Sequence, residues 1–171
     1  MRPWKTEDLQ PFAEMNADPR VRRFFPSLLS REESDASVAT YRQMHERDGF
    51  GFFAVEFRET SQFIGCLGMQ SLSFELAHVS KPAIEIGWRL TPEAWGQGLA
   101  TEGARAILRY AFEERGIAEV VAFTVPVNLP SRRVMEKLGM THHAQDDFDH
   151  SNLADGHPLR RHVLYRVRRI A

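Results

Sequence analysis

The sequence predicts a mixed α/β domain, and three observations carry that prediction. Residues 83–90 alternate with a two-residue period, then run into a glycine-rich turn that opens a helix of clean 3.6-residue periodicity. Residues 120–127 are almost wholly apolar, as expected of a buried central strand. Upstream, two aromatic and aliphatic runs at 50–57 and 63–69 are separated by a short polar connector, which predicts an antiparallel pair.

The remaining elements follow in order. Arg2-Pro3-Trp4 reads as the stub of a strand. Thr6-Glu7-Asp8 reads as a helix start with acids in its first turn, near which Pro11 costs least. Ser30-Arg31-Glu32-Glu33 is a capping box, so a helix is expected over 31–45, ended by Asp48-Gly49. Within 83–90, Ile84, Ile86, Trp88 and Leu90 share one face and Glu85, Gly87 and Arg89 the other. A helix over 99–115 carries the stripe Ala104, Ile107, Leu108, Ala111 and Phe112, and Gly116 stops it. Pro130 suits the first turn of another helix, edged by Val134 and Leu138 and ended by Gly139. A further strand is expected from Met140, a long acidic loop over 145–157 and a closing strand over 162–167. The arginines of 160–169 read as solvated groups on an edge strand.

With 171 residues and 43% hydrophobic content, the chain suits one domain over 1–171, with a core that needs no staples. A formal net charge of -1 argues against a general nucleic-acid binder. No apolar run is long enough to span a bilayer, so no membrane partner is expected. The lone cysteine, Cys66, favours a reducing, cytoplasmic setting. His142-His143 and His157 match no common zinc spacing, and no metal is expected.

The chemistry is expected at the glycine-rich turn. The first turn of a helix has N–H groups with no internal partner, and the helix dipole adds positive charge there. Glycines let a bulky anion approach the backbone. The N–H groups around Gly96, Gln97, Gly98, Leu99, Ala100 and Thr101 are therefore expected to hold a pyrophosphate. The alternative is a tight turn without a ligand. No Gly-Lys-Ser/Thr follows Gly98, against an ATP-type loop. Thr101 stands where a dinucleotide fingerprint needs its third glycine, and the next strand ends in Pro126-Val127-Asn128, not an acid.

Three segments in sequence then form a pattern. Glu85-Ile86-Gly87-Trp88-Arg89-Leu90, Trp95-Gly96-Gln97-Gly98-Leu99-Ala100-Thr101-Glu102 and Asn128-Leu129-Pro130-Ser131-Arg132-Arg133-Val134-Met135-Glu136-Lys137-Leu138-Gly139-Met140 resemble the GNAT family of N-acetyltransferases. Within it, they most resemble the branch containing the ribosomal-protein alanine acetyltransferases. The likeness is densest over 84–140 and extends in element order over nearly the whole chain. The family pattern is Arg/Gln-x-x-Gly-x-Gly/Ala; Gly98 and Ala100 match it, and Trp95 replaces the usual Arg or Gln. The main-chain cradle does not use that side chain.

The resemblance implies a mostly antiparallel twisted sheet of about six to seven strands, with about four flanking helices. It implies acetyl-coenzyme A, the acetyl donor, wedged between two splayed parallel strands, 83–90 and 120–127. The pantetheine arm would pair with main chain near Leu90 and Thr91 as an added strand. Pro126 cannot donate to a ladder, in keeping with pairing that fails there or with a plain strand end. Direct transfer to a primary amine needs a proton acceptor, a donor to the carbonyl oxygen and a partner for the leaving thiolate. Ser131, in the family's Asn-x-x-Ser, is the candidate thiolate partner, and Asn128 would bond the pantetheine or acetyl region. Glu85 is the candidate base, with Asp149 and His150 as a second choice. A helix-capping hydroxyl and an ordinary salt bridge are the plain alternatives for Ser131 and Glu85.

The resemblance implies a small-molecule or peptide amine as the acceptor. Asp146, Asp147, Asp149 and His150 are expected to attract a cationic one or to form a solvated loop. A catalytically silent acyl-coenzyme A sensor is the alternative function. A monomer or homodimer is expected. Trp4, Phe24, Phe25, Phe50, Phe52 and Phe53 are expected mainly in the core, with the lining of a substrate pocket as the alternative.

Overall fold

Ser30 shows how locally the first helices are specified. In the computed structural model, which describes residues 1–79 and 81–169, its hydroxyl accepts the Glu33 N–H at 3.2 Å. The Glu33 carboxylate in return accepts the Ser30 N–H at 2.7 Å. The first helix, α1 (Leu9–Ala17), follows a 3-10 turn at Thr6–Asp8, and the capping box opens α2 (Arg31–Asp48). The second helix runs past His45 because Gly49 adopts the left-handed backbone (φ 73°) and donates its N–H to the His45 carbonyl at 3.0 Å. Ser30→Ala is expected to lower stability by about 1 kcal/mol in urea denaturation and to leave coenzyme A binding unchanged.

The sheet is built from β1 (Phe52–Glu56), β2 (Phe63–Ser71), β3 (Ile84–Leu90) and β4 (Glu119–Thr124). The short β5 (Thr141–His142) and β6 (Phe148–Asp149) and the long β7 (Arg161–Arg168) complete it. Helix α3 (Leu99–Arg109) precedes β4, and α4 (Leu129–Lys137) follows it. The strand order is β1-β2-β3-β4-β7-β5, with β6 on β7. The β3–β4 pair is parallel and the other pairs are antiparallel. Arg2 and Ala54 form the bridge expected of the first strand stub.

Alternation in β3 divides the molecule into two layers. Ile84 and Ile86 pack with Leu67, Val120 and Ala122 under Ala104, Ile107 and Leu108 of α3. On the opposite face, Trp4, Phe12, Met15, Val38, Phe52 and Cys66 form the core beneath α1 and α2. Of the six aromatics expected mainly in the core, Trp4, Phe50 and Phe52 are buried, and Phe24, Phe25 and Phe53 are half-buried.

Four expectations are corrected. The helix expected over 99–115 stays α-helical only to Arg109; Tyr110–Glu114 is a π turn, with Arg115 N–H bonded to the Tyr110 carbonyl at 3.1 Å. The apolar stripe continues through both windings, with Ala111 fully buried, so periodicity could not register the change. The strand expected over 120–127 ends at Thr124, and beyond it Asn128 N–H turns back to the Val125 carbonyl at 3.0 Å. The stretch 145–157 contains β6 and part of a 3-10 turn, Ala144–Asp146.

The C-terminal strand is not an edge. It lies between β4 and β5, and Arg166 is buried against Asp146 (2.8 Å) and Glu119 (3.4 Å), with the His78 carbonyl at 2.7 Å. Partners from three distant segments make that burial tolerable.

Candidate active site

Strands β3 and β4 separate almost as soon as they meet. Among the described residues their register joins at one pair, Glu85 with Val121. The orientation of the main chain beyond that point follows from the bonds to β2. Thr91 N–H donates to the Ile64 carbonyl at 2.9 Å, and Leu72 N–H to the Ala83 carbonyl at 2.9 Å. Leu90 is thus opposite Gly65 in a pair that exchanges no direct bonds, and by alternation so is Trp88 opposite Leu67. The main-chain groups of Trp88 and Leu90 therefore face the gap. Of the two residues expected to meet a pantetheine arm, Leu90 offers its N–H there, and Thr91 has committed its own to β2. The Leu90 carbonyl accepts the Trp95 indole N–H at 2.8 Å.

The glycine turn stands at the end of this gap. Gly96 (φ 74°) and Gly98 (φ 80°) both hold the left-handed backbone, and a Cβ built on either meets nothing within 4 Å. Gly98 is the N-cap of α3 and has no side chain to satisfy the first-turn N–H groups of Leu99, Ala100 and Thr101. The result is an exposed cradle of donors at the head of an eleven-residue helix. Gln97 does not turn its amide into it; that amide bonds the Glu93 carbonyl at 2.6 Å. A hollow of about 450 Å³, bounded by Asp48, Ile84, Arg115 and Glu119, lies at the other end of β3 and β4.

Glu85 sits at the root of the gap on the α1–α2 face. Burial pushes its carboxyl up to about 7 from the ordinary 4.5, opposed in part by the Gln70 amide, which donates at 2.7 Å. Its partner is Gln70, not an arginine. Across the gap, Asn128 caps α4: its side-chain oxygen accepts Ser131 N–H at 3.4 Å, and its amide donates to Thr124 Oγ1 at 2.8 Å. The Ser131 hydroxyl makes no hydrogen bond among the described residues, so capping is done by Asn128 and not by the serine.

The carboxylates of the acidic stretch lie in ion pairs. Asp146 pairs with Arg166, Asp147 Oδ1 lies 2.7 Å from His142 Nε2, and Asp149 lies 3.3 Å from Arg161. His150 belongs to an aromatic cluster with Phe74, Phe123, Phe148 and His162 and is held below its usual pKa by burial. No three His, Cys, Asp or Glu side chains among the described residues are placed to hold a metal.

A family model described as an acetyltransferase (GNAT) domain matches residues 1–141. The chain belongs to the GNAT family. Its relatives include the uncharacterized N-acetyltransferase YnaD of Bacillus subtilis, 31% identical over 140 residues, which are 82% of this chain and 77% of YnaD. They also include the FsC-acetyl coenzyme A-N(2)-transacetylase of Aspergillus fumigatus, 55% identical over 58 residues. That match spans 34% of this chain and only 25% of the fungal protein. Among solved structures, the acetyltransferase of Agrobacterium tumefaciens superimposes with a TM-score of 0.78 at 23% identity, covering 98% of this chain and 89% of that one. The ribosomal-protein-alanine N-acetyltransferase of Brucella melitensis does so with 0.72 at 16%, covering 98% of each. Both share the fold. This GNAT chain is an N-acetyltransferase of mixed α/β architecture, and no described helix is long and apolar enough to cross a membrane.

Proposed function

We propose that this GNAT protein transfers an acetyl group from acetyl-coenzyme A directly to a primary amine of a small molecule or peptide, in a ternary complex. The observation that carries the reading is the continuity of two features. The gap-facing edge of β3 at Trp88 and Leu90 leads to the open donor cradle at Gly96–Gly98. An extended pantetheine fits the first as an added strand, and a pyrophosphate fits the second. When bound, acetyl-coenzyme A supplies the activated acyl carbon.

The remaining roles belong to the chain. Leu90 N–H points into the gap and donates to the carbonyl oxygen as charge develops on it. Glu85, with its pKa near 7, takes the amine proton through water along the gap. Ser131, at the head of α4, donates to the departing thiolate. Holding amine and thioester together supplies much of the rate.

Calorimetry with coenzyme A, followed by a thiol-release assay over an amine panel, tests the reading. Heat and release are expected; heat without release on any amine marks a silent acyl-coenzyme A module, and no heat overturns both. Ser131→Ala is expected to lower kcat about 10- to 100-fold with coenzyme A affinity unchanged. Unaltered turnover would remove Ser131 from the mechanism.

A further inference from the structure

We propose that the acceptor amine carries a carboxylate or phosphate group, held by Arg89 and Arg22 on the α1–α2 side of the gap. This rests on the acetyl-transfer reading of the same site. Arg89 lies one residue before the gap-facing Leu90, and its side chain alternates to the face opposite α3. It is thus on the side of the sheet opposite α3, whose head forms the donor cradle, and against the α1–α2 layer. Its Nη1 donates to Asn16 Oδ1 at 2.6 Å, and the Asn16 amide donates to Ser34 Oγ at 2.9 Å. The guanidinium is therefore held in place from α1 and α2.

The second cation comes from the segment joining those helices. Arg22 is buried, and its Nε donates to the Ser27 carbonyl at 2.8 Å. Both guanidiniums pack on one ring: Arg22 lies 4.3 Å and Arg89 4.4 Å from the Phe25 centroid. Neither forms an ion pair with a carboxylate among the described residues, and Arg89 Nε is buried without a hydrogen-bond partner. Buried Arg166 makes the contrast, since it has both Asp146 and Glu119. Glu85 shares the face of Arg89 but gives its carboxyl to Gln70.

Two neighbouring cations around one aromatic ring, with no carboxylate in ion-pair contact among the described residues, are only partly compensated by the ring face and the more distant Glu33. Burial, and then the charge of Arg89, hold the Arg22 guanidinium down to about 10. A planar carboxylate or a phosphate supplies the missing charge and matches the guanidinium fork. Of the late-loop acids, Asp146 pairs with Arg166, Asp149 with Arg160 and Arg161, and Asp155 with Arg160, so none of them serves Arg22 or Arg89.

The test uses the full chain and matched acceptors: ethanolamine, β-alanine and phosphoethanolamine. At least one anionic acceptor is expected to show kcat/KM about tenfold or more above ethanolamine, and the ranking of the two separates carboxylate from phosphate. Arg89→Met and Arg22→Met are expected to abolish that preference and to change the ethanolamine rate less than about threefold, with Arg89→Lys in between. Equal rates on all three acceptors in the wild type overturn the proposal and leave acetyl transfer standing. A binding measurement covers the case of no turnover or a misfolded Arg89→Met variant. Inorganic phosphate and glutarate titrated into the protein with coenzyme A present should give heat that Arg22→Met or Arg89→Lys reduces. No heat in the wild type overturns the anion site. No heat from coenzyme A itself overturns the acetyl-transfer reading instead, and the phosphate titration on the free chain still decides the arginine pair.

Discussion

Glu85→Gln is expected to lower kcat by about two to four orders of magnitude and to erase the limb of the pH–rate profile centred near 7. The glutamine keeps the size and the hydrogen bond to Gln70 but cannot take a proton. In the wild type, kcat/KM should rise with pH through about 7, as the carboxyl ionises. An acceptor with a more basic amine adds its own limb at higher pH, and that limb should survive the substitution. Stability should move the opposite way. Because the folded carboxyl holds its proton to about 7 and the unfolded one only to about 4.5, the folded state binds more protons between those values. Stability is then full below about 4.5 and falls as pH rises through 7, by roughly 1–3 kcal/mol. Glu85→Gln should flatten that decline in urea titrations from pH 5 to 8. A flat stability difference together with an unchanged rate profile would show that Glu85 does not titrate in this range and is not the base.

Gly98→Val should weaken coenzyme A binding by about a hundredfold or more, the loss of at least one or two hydrogen bonds to a charged group. Two effects combine. At φ 80° a β-branched residue is strained by about 1–2 kcal/mol, and its side chain enters the open space that a pyrophosphate needs. Gly116 provides the control. It too has a left-handed backbone (φ 64°) with nothing within 4 Å of a built Cβ, but it lies at the far end of the π turn. Gly116→Val should lower the melting temperature comparably and leave coenzyme A affinity intact. Calorimetry on the two variants separates strain from occupation of the cradle, and equal affinities would place the pyrophosphate elsewhere.

Features fixed by neighbours along the chain are legible in the residues alone. The Ser30–Glu33 box, the alternation of β3, the glycine turn and the apolar β4 all depend on contacts within a few residues. The placement of Gly98 and Leu90 at one gap follows from the same local order. What cannot be read that way depends on partners far apart in the chain. Arg166 looks like a surface residue until Asp146, Glu119 and His78 are brought to it. Arg22, Phe25, Asn16 and Arg89 meet only when α1 folds against β3. One clue is present: Arg89 occupies the Glu85 and Gly87 side of the alternation, immediately before the strand ends. The Tyr110–Glu114 turn has no signal, since Ala111 and Phe112 continue the apolar stripe of α3.

Trp95, the departure from the family pattern, sets a measure for the whole cleft. Its indole seals the last carbonyl of β3, leaving Trp88 as the final gap-facing acceptor and Leu90 as the final gap-facing donor. On the proposed reading, an arm laid along that strand meets an already engaged acceptor if it slips toward the turn. The ring would then act as an end stop from which the reach of a bound thioester is counted.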